Sequence, residues 1–459
     1  MRKLLILFWQ ALTGTEQNYT SGSINKAIFL LSVPMILEMI MESLFAVVDI
    51  YFVSKISVDA VAAVGLTESV LTLIYSVAIG ISVGATAMVS RRVGEGNKAG
   101  ASLAIGQVIF LSLAMSVIIG LVTGFFATEI LQLMGAGSKV IQTGASYTQI
   151  LFYSTPVIVL LYSLSGALRG AGKAAIAMQS LWVANGINIL LVPIFIFGWG
   201  PVPAMGVTGA AIATTIGRTT GVVYQLYFLM RSHYALRIQS LLPHKETLTA
   251  LLSIASGGMG QFLISSASWI FLIRILAEFG SDVVAGYTIA IRIVVFTILP
   301  ASGLANAAAT LVGQNLGALQ AARAEISVWR TSKFNFILLL VLGLILFTQA
   351  EPLIRFFTQE PKVVQTGVLA LKIISLGYPF YAYGMVVIQS LNGAGDSKTP
   401  ILINLLCFWM IEIPLAYGLA ILLNRGEMGV FASIPIAESL MAFIAIMYFR
   451  RGKWKTVKV

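Results

Sequence analysis

The chain has 459 residues, 58% of them hydrophobic and only 10% charged, with a net charge of +11. A soluble domain carries about 25% charged residues, so this composition leaves too little polar surface for a water-soluble globule. The 29 Lys and Arg against 18 acidic residues fit the inner loops of a membrane protein, and no nucleic-acid motif accompanies them.

Residues 1–26 open with Met-Arg-Lys-Leu-Leu-Ile-Leu-Phe-Trp. The apolar core is short and no small-residue cleavage site follows, so a helix lying on the inner leaflet is expected rather than a signal peptide. A helix needs roughly 20 apolar residues to cross a bilayer, and such runs follow one another to the end of the chain. Their pattern predicts spans at 27–54, 62–89, 101–127, 147–168, 175–199, 206–230, 248–277, 284–312, 332–349, 367–391, 400–423 and 428–449. The expected fold is therefore an all-α integral membrane protein with 12 transmembrane helices. Residues 27–230 form a first six-helix lobe and 248–450 a second, joined by a polar linker at 231–247 and followed by a basic tail at 451–459. Basic residues gather at the N-terminus, in the even-numbered connections and in the tail, which predicts that both termini are cytoplasmic.

The two lobes repeat one another. A shift of 223 residues places Asp59 on Asp282, Gly80 on Gly303, Ala85 on Ala308, Val89 on Val312 and Gly94 on Gly317. The same shift carries Leu-Arg-Gly-Ala-Gly at 168–172 onto Leu-Asn-Gly-Ala-Gly at 391–395. Shared Ala and Gly explain single matches but not a constant register. Each half has an even number of spans, so both enter the membrane in the same sense. That parallel repeat is an arrangement used by secondary transporters.

Charges inside spans are costly and usually functional. The first span holds Glu38, Glu42 and Asp49, which at 100° per residue fall within about 40° of one another. Such a stripe faces an aqueous cavity or another helix, not lipid. At the 223 shift Glu38 meets Gln261, Glu42 meets Ser265 and Asp49 meets Leu272, which predicts acidity concentrated in the first lobe. Glu412 lies two residues before Pro414 in the eleventh span, with Glu68 and Glu438 as further acids. Arg218 sits near mid-membrane in the sixth span and reads as a structural ion-pair partner.

The glycine turns at 94–101, 169–174 and 392–400 lack the Walker spacing, so no ATP site is expected and an ion gradient must supply the energy. His233 and His244 both fall in the linker and Cys407 is the only cysteine. No metal site, thiol framework or Ser-His pair follows from them, and an enzyme is not expected. A channel fits duplicated lobes with one acidic side less well than alternating access does.

Pro34 with Val48-Asp49-Ile50-Tyr51-Phe52-Val53, the two Gly-Ala-Gly turns, Val-Pro-Ile-Phe-Ile-Phe-Gly at 192–198 and Gly-Ala-Ala-Ile-Ala-Thr at 209–214 resemble the multidrug and toxic compound extrusion (MATE) transporters of prokaryotic type. The likeness runs from about residue 24 to 450. It implies a monomeric antiporter of the bacterial plasma (inner) membrane, exporting amphiphilic, usually cationic organic compounds in exchange for H+ or Na+, without ATP or another cofactor. Asp49 takes the place of the coupling aspartate, with Asn188 and Thr214 as its partners and Na+ at Asp49 and Asn188 as the metal alternative. Glu38, Glu42, Glu412 and Gln261 would receive the substrate. Val192 stands where many members have an aspartate before the proline, which weakens a cation cage and favours H+. A lipid-linked saccharide flippase is the alternative on this scaffold, but its pyrophosphate would need several Arg in the cavity.

Overall fold

The computed structural model describes residues 2–14, 18–231, 238 and 240–459, with side chains from Leu5 onward. The linker residues 232–237 and 239, including His233 and Arg237, lie outside the described residues. Among the described residues the secondary structure is helical apart from one isolated bridge between Trp199 and Val202.

A short helix α1 (Arg2–Thr13) precedes the spans, with Trp9 and Leu5 exposed and Ala11 buried. The first half continues as α2 (Ile24–Ser54), α3 (Val58–Gly94), α4 (Lys98–Phe125), the short α5 (Ala127–Leu133), α6 (Ser138–Tyr153), α7 (Thr155–Gly170), α8 (Ala174–Phe197) and α9 (Val207–Met230). The second half repeats the order as α10 (Lys245–Leu276), α11 (Ser281–Gly317), α12 (Ala321–Thr348), α13 (Ala350–Arg355), α14 (Pro361–Ser375) and α15 (Tyr378–Gly393). It closes with α16 (Lys398–Asn404), α17 (Ile413–Tyr417) and α18 (Glu427–Arg450). α16 and α17 belong to one continuous span, Lys398–Leu422, interrupted by π-helical turns at Leu405–Glu412 and Gly418–Leu422.

Serine and asparagine side chains start the early helices by accepting orphan amides: Ser57 from Ala60 and Asn97 from Gly100. The pairs α6–α7 and α14–α15 are bent by 46° and 57°, each where a proline sits in the first turn of the second helix. Among the described residues nine helices are long and apolar enough to cross a membrane, and eleven spans result when each bent pair is one. The sixth expected span, α9, is a full 24-residue helix outside that count, because Arg218 and its Thr and Gly residues dilute its apolar character. Twelve spans were expected; composition identifies eleven of them.

α3, α4, α6, α7, α8 and α9 pack together, as do α11, α12, α14, α15 and α18. The two long helices that open the halves lie between these groups. α2 packs on α8 of its own half and on α11 of the other, and α10 packs on α3 and on the α16 span. One indole ties each of them to its own half. Trp182 donates to the carbonyl of Leu37 at 3.1 Å and Trp409 to that of Ile264 at 2.9 Å.

The halves meet where glycines let backbones touch. A Cβ on Gly80 would collide with Met259 and the Ala255 carbonyl, and one on Gly303 with Met35 and Ile36. At the crossing of α3 with α11, a Cβ on Gly94 would lie 2.0 Å from the Gln314 carbonyl oxygen and one on Gly317 2.2 Å from that of Arg91. The same end holds the C-terminal segment. Trp454 is fully buried and stacked on Phe449, and Lys455 pairs with Glu325 at 2.6 Å. Arg91 donates to the carbonyls of Ala394 and Val457, and Arg92 to that of Val459. Residues 451–459 thus form a strap across the junction of the halves.

Gly94→Val and Gly317→Val should each cost about 1–3 kcal/mol through overpacking against main chain, read as a lower thermal midpoint in detergent. Gly65→Ala, at a position with nothing within 4 Å, should leave the midpoint unchanged or raise it, since alanine is the better helix former.

Candidate functional site

The three acids of α2 all point into the first half, each toward a different neighbour. Glu38 is 2% exposed and accepts from Arg169 of α7 at 2.7 Å. The Arg169 guanidinium also reaches the Ser82 hydroxyl of α3 at 3.0 Å, and its carbonyl accepts from Thr310 of α11. Arg169 was counted with the inner basic loops on sequence. In the structure it is 8% exposed in the last turn of α7, because Glu38 supplies the counter-charge that burial demands. Glu38 therefore belongs to the junction between the halves, one turn from the crossing at Gly303, and its second oxygen is buried without a partner.

One turn further along, Glu42 is half-buried and accepts from the Tyr162 hydroxyl at 2.5 Å and from Asn185 at 3.4 Å. The Tyr162 ring meets Tyr75 edge-on, and the Tyr75 hydroxyl accepts from Arg218 at 2.8 Å. Arg218 is 7% exposed and lies over the rings of Phe45 and Tyr75. Its charge acts on Glu42, Asp49 and Glu68 together. A guanidinium between two aromatic faces is held by cation–π attraction as well as by its hydrogen bond.

Asp49 is half-buried, with one carboxylate oxygen sealed off and unpartnered. Its electrostatic neighbours are Glu68 of α3 and Arg218 of α9, while Glu68 is exposed. Asn188 donates to the Thr214 hydroxyl at 3.0 Å, and both are buried. The structure thus joins Asn188 to Thr214 but makes no hydrogen bond from either to Asp49. The Asn188 carbonyl oxygen stays buried and free, an unused acceptor in the same half. Val192 is fully buried, an apolar side chain at the proline turn of α8.

The second half answers with amides and a separate acid pair. Gln261 is 8% exposed and exchanges two hydrogen bonds with Asn392, at 3.0 and 3.1 Å. Asn392 continues to Gln389 and Gln389 to Asn306, at 2.8 and 2.7 Å. Glu412 is 2% exposed and lies within electrostatic reach of Glu438. The second half carries these carboxylates on the α16 span and α18 and none at the α10 positions that match the acid stripe of α2. Among the described residues no group of three or more His, Cys, Asp or Glu is arranged to hold a metal ion.

Sequence reasoning missed the Glu38–Arg169 pair, the Tyr162 contact of Glu42 and the centrality of Arg218. One signal for Arg218 was present: an arginine at mid-membrane requires an acid, and the stripe on α2 was the nearest source of acids.

The MatE family model matches the chain twice, over residues 34–194 and again over 258–418, one match to each half. The chain is 26% identical to a protein described as probable multidrug resistance protein NorM of Thermotoga maritima, over 94% of this chain and 93% of that one. It is equally 26% identical to an FAD transporter of Shewanella oneidensis, over 95% and 97%. The solved outward-facing conformation of a multidrug resistance MATE family transporter superposes with a TM-score of 0.89 at 26% identity, covering 96% of this chain and 98% of the other.

Arg169→Met should leave Glu38 charged, buried and alone, at a cost of about 3–5 kcal/mol. Glu38→Gln combined with Arg169→Met should restore most of that stability. Thermal midpoints of the purified wild type, single and double variants in detergent check the coupling.

Proposed function

Because the chain belongs to the MatE family of transporters, we propose that it exports amphiphilic organic cations across the plasma membrane of a bacterium in exchange for H+ or Na+. Export would proceed by alternating access between the two halves. What supports this reading is that Glu42, Asp49 and Glu68 all lie within electrostatic reach of one buried guanidinium, Arg218. Three carboxylates against one guanidinium leave negative charge for a proton, a sodium ion or a substrate cation to balance. An anionic cargo such as FAD would meet like charge there.

In this mechanism Asp49 is the coupling acid. Its free oxygen and its position between Glu68 and Arg218 make its charge sensitive to what else occupies the cluster. With the proton or ion bound, the excess charge falls and the substrate cation is released; with Asp49 ionised, the cation is attracted again. The two ligands exclude one another through a shared electrostatic site, and that exclusion is what exchange requires. Asn188 and Thr214 hold α8 against α9 behind the acid. Glu42, fixed by Tyr162 and Asn185, offers the substrate a carboxylate on an aromatic wall. Glu38 and Gln261 already have partners within the protein, so they would act on substrate through the junction and the amide chain rather than by contact. The substrate sites are acidic, which separates this reading from a flippase of lipid-linked pyrophosphates.

Proteoliposomes with separately imposed H+ and Na+ gradients test the proposal, with a fluorescent organic cation and FAD offered as alternative cargo. The cation should move uphill against one of the two gradients and FAD should not. Asp49→Asn should fold normally and lower gradient-driven uptake about tenfold or more, the scale of typical ligand–ligand coupling. Wild-type uptake by Asp49→Asn would remove the mechanism, and uphill transport of FAD alone would replace the substrate class.

A further inference from the structure

Beyond the helix crossings, two terminal segments of the chain join the halves at one end of the bundle, and the two joints are built alike. The segment at 453–459 is rooted in the second half. Gly452, at φ 74°, turns the chain back from the end of α18. Trp454 stacks on Phe449 and donates its indole N–H to the Phe449 carbonyl at 2.8 Å, and Lys455 pairs with Glu325 of α12. The far end of the segment crosses to the first half. Val459 packs against a core cluster made mostly of first-half residues. The carbonyls of Val457 and Val459 accept from Arg91 and Arg92 of α3 at 2.9 and 3.0 Å. Gly395 leaves room for this path, since a Cβ there would lie 2.3 Å from a methyl of Val459.

The segment at 18–25 reverses the roles. It is seated on the first half, where the Tyr19 ring lies against the turn at Gly172 and packs in one cluster with Ala174. Its grip comes from the second half. Arg323 of α12 donates to the carbonyls of Tyr19, Ser21 and Gly22 at 3.2, 2.9 and 2.9 Å, and Arg330 to the side-chain oxygen of Asn25 at 3.1 Å. Each half thus lends two arginines to a segment seated on the other. The acceptors in these grips are main-chain carbonyls and one amide oxygen. A guanidinium–carbonyl bond has the strength of a charged donor, yet it leaves no buried anion behind when it breaks. Arg92 and Arg323 are only partly buried and Arg330 is exposed, so water replaces the lost acceptors. The seats, by contrast, are apolar and ionic contacts within one half, which separation of the halves does not disturb.

We propose that the segments 18–25 and 453–459 form a reciprocal clasp that holds the halves together at this end of the bundle and sets how often that end opens. On opening, the grips of the four arginines release while each segment keeps its seat. The inference rests on the antiporter reading, in which exchange requires the halves to part here. Its test reads the parting without any cargo.

The probe is a thiol placed in the junction. Thr310 is fully buried and donates across the junction to the Arg169 carbonyl, so the thiol introduced by Thr310→Cys meets a water-soluble maleimide when the halves part. The native Cys407, fully buried among second-half residues, is an internal gauge of unfolding. Mass spectrometry follows both thiols in the detergent-purified full chain carrying Thr310→Cys. The same chain is measured with Arg91→Gln plus Arg92→Gln, with Arg323→Gln, and with residues 457–459 removed. Each of these changes should speed reaction of the introduced thiol about tenfold or more, the effect of losing one charge-assisted hydrogen bond, and leave Cys407 unchanged. Lys458→Gln, which removes an exposed charge and no grip, should alter neither rate. Equal rates at the introduced thiol in parent and clasp variants overturn the proposal. So does a rise shared with Cys407, or one that Lys458→Gln reproduces. If the double arginine variant does not fold, Arg323→Gln and the shortened chain decide by the same criteria. Organic-cation exchange by wild type in proteoliposomes separates the two readings. Absent exchange with the expected rate increases retracts the antiporter reading and leaves the clasp, whereas exchange with unaltered rates retracts the clasp alone.

Discussion

A carboxylate carried into a helix bundle must meet a cation, a proton or several donors, because the low-dielectric surroundings do not solvate it. That requirement organises the first half of this protein. The acids of α2 reach several helices of the half: Glu38 meets α7 through Arg169, Glu42 meets α7 and α8 through Tyr162 and Asn185, and Asp49 lies within electrostatic reach of Glu68 of α3 and Arg218 of α9. α2 is thus fastened along most of its length to its own half by polar contacts, although it packs equally on α11 of the other.

The junction between the halves is built differently. Its closest approaches are backbone on backbone, at Gly94 against Gln314 and Gly317 against Arg91. Surfaces of that kind can part without disentangling side chains. Polar contacts across the junction include Thr310 to the Arg169 carbonyl, Gln314 to the Gly170 carbonyl, Arg323 to the carbonyls of Tyr19, Ser21 and Gly22, and the arginines of α3 to Ala394 and the C-terminal strap. Arg169 joins the two systems. Its side chain neutralises Glu38 while its carbonyl receives a hydrogen bond from the other half, so separating the halves changes the surroundings of the buried pair.

Much of this could be read in the sequence, and what could not has a physical cause. Span positions, the two halves and the acid stripe follow from hydropathy and helical period, which are local properties. The partners of the stripe are tertiary: nothing in Leu-Arg-Gly-Ala-Gly says that its arginine turns inward to Glu38 instead of outward to the inner loops. Asp49 was expected beside Asn188 and Thr214; the latter two are bonded to each other, and Asp49 lies within electrostatic reach of Glu68 and Arg218. The correspondence of Arg218 with Glu438, each the twelfth residue of a 24-residue helix, was hidden by the repeat itself. The offset of 223 holds to Gly395 and becomes 224 at the start of α16, where the turn is one residue longer. It falls to 220 in α18 because the connection before it is shorter. A fixed shift therefore pairs Arg218 with the wrong residue, while the caps at Gly206 and Gly426 restore the match.

With that match in place, the two halves share a frame but differ in where their positive charge comes from. The first half contains its own in Arg218, yet not enough to cancel Glu42, Asp49 and Glu68. The second half has Glu438 at the same place and no basic neighbour. The shared frame therefore carries unlike charge at matching places, Arg218 in α9 and Glu438 in α18, so the two halves are alike in backbone and different in electrostatics.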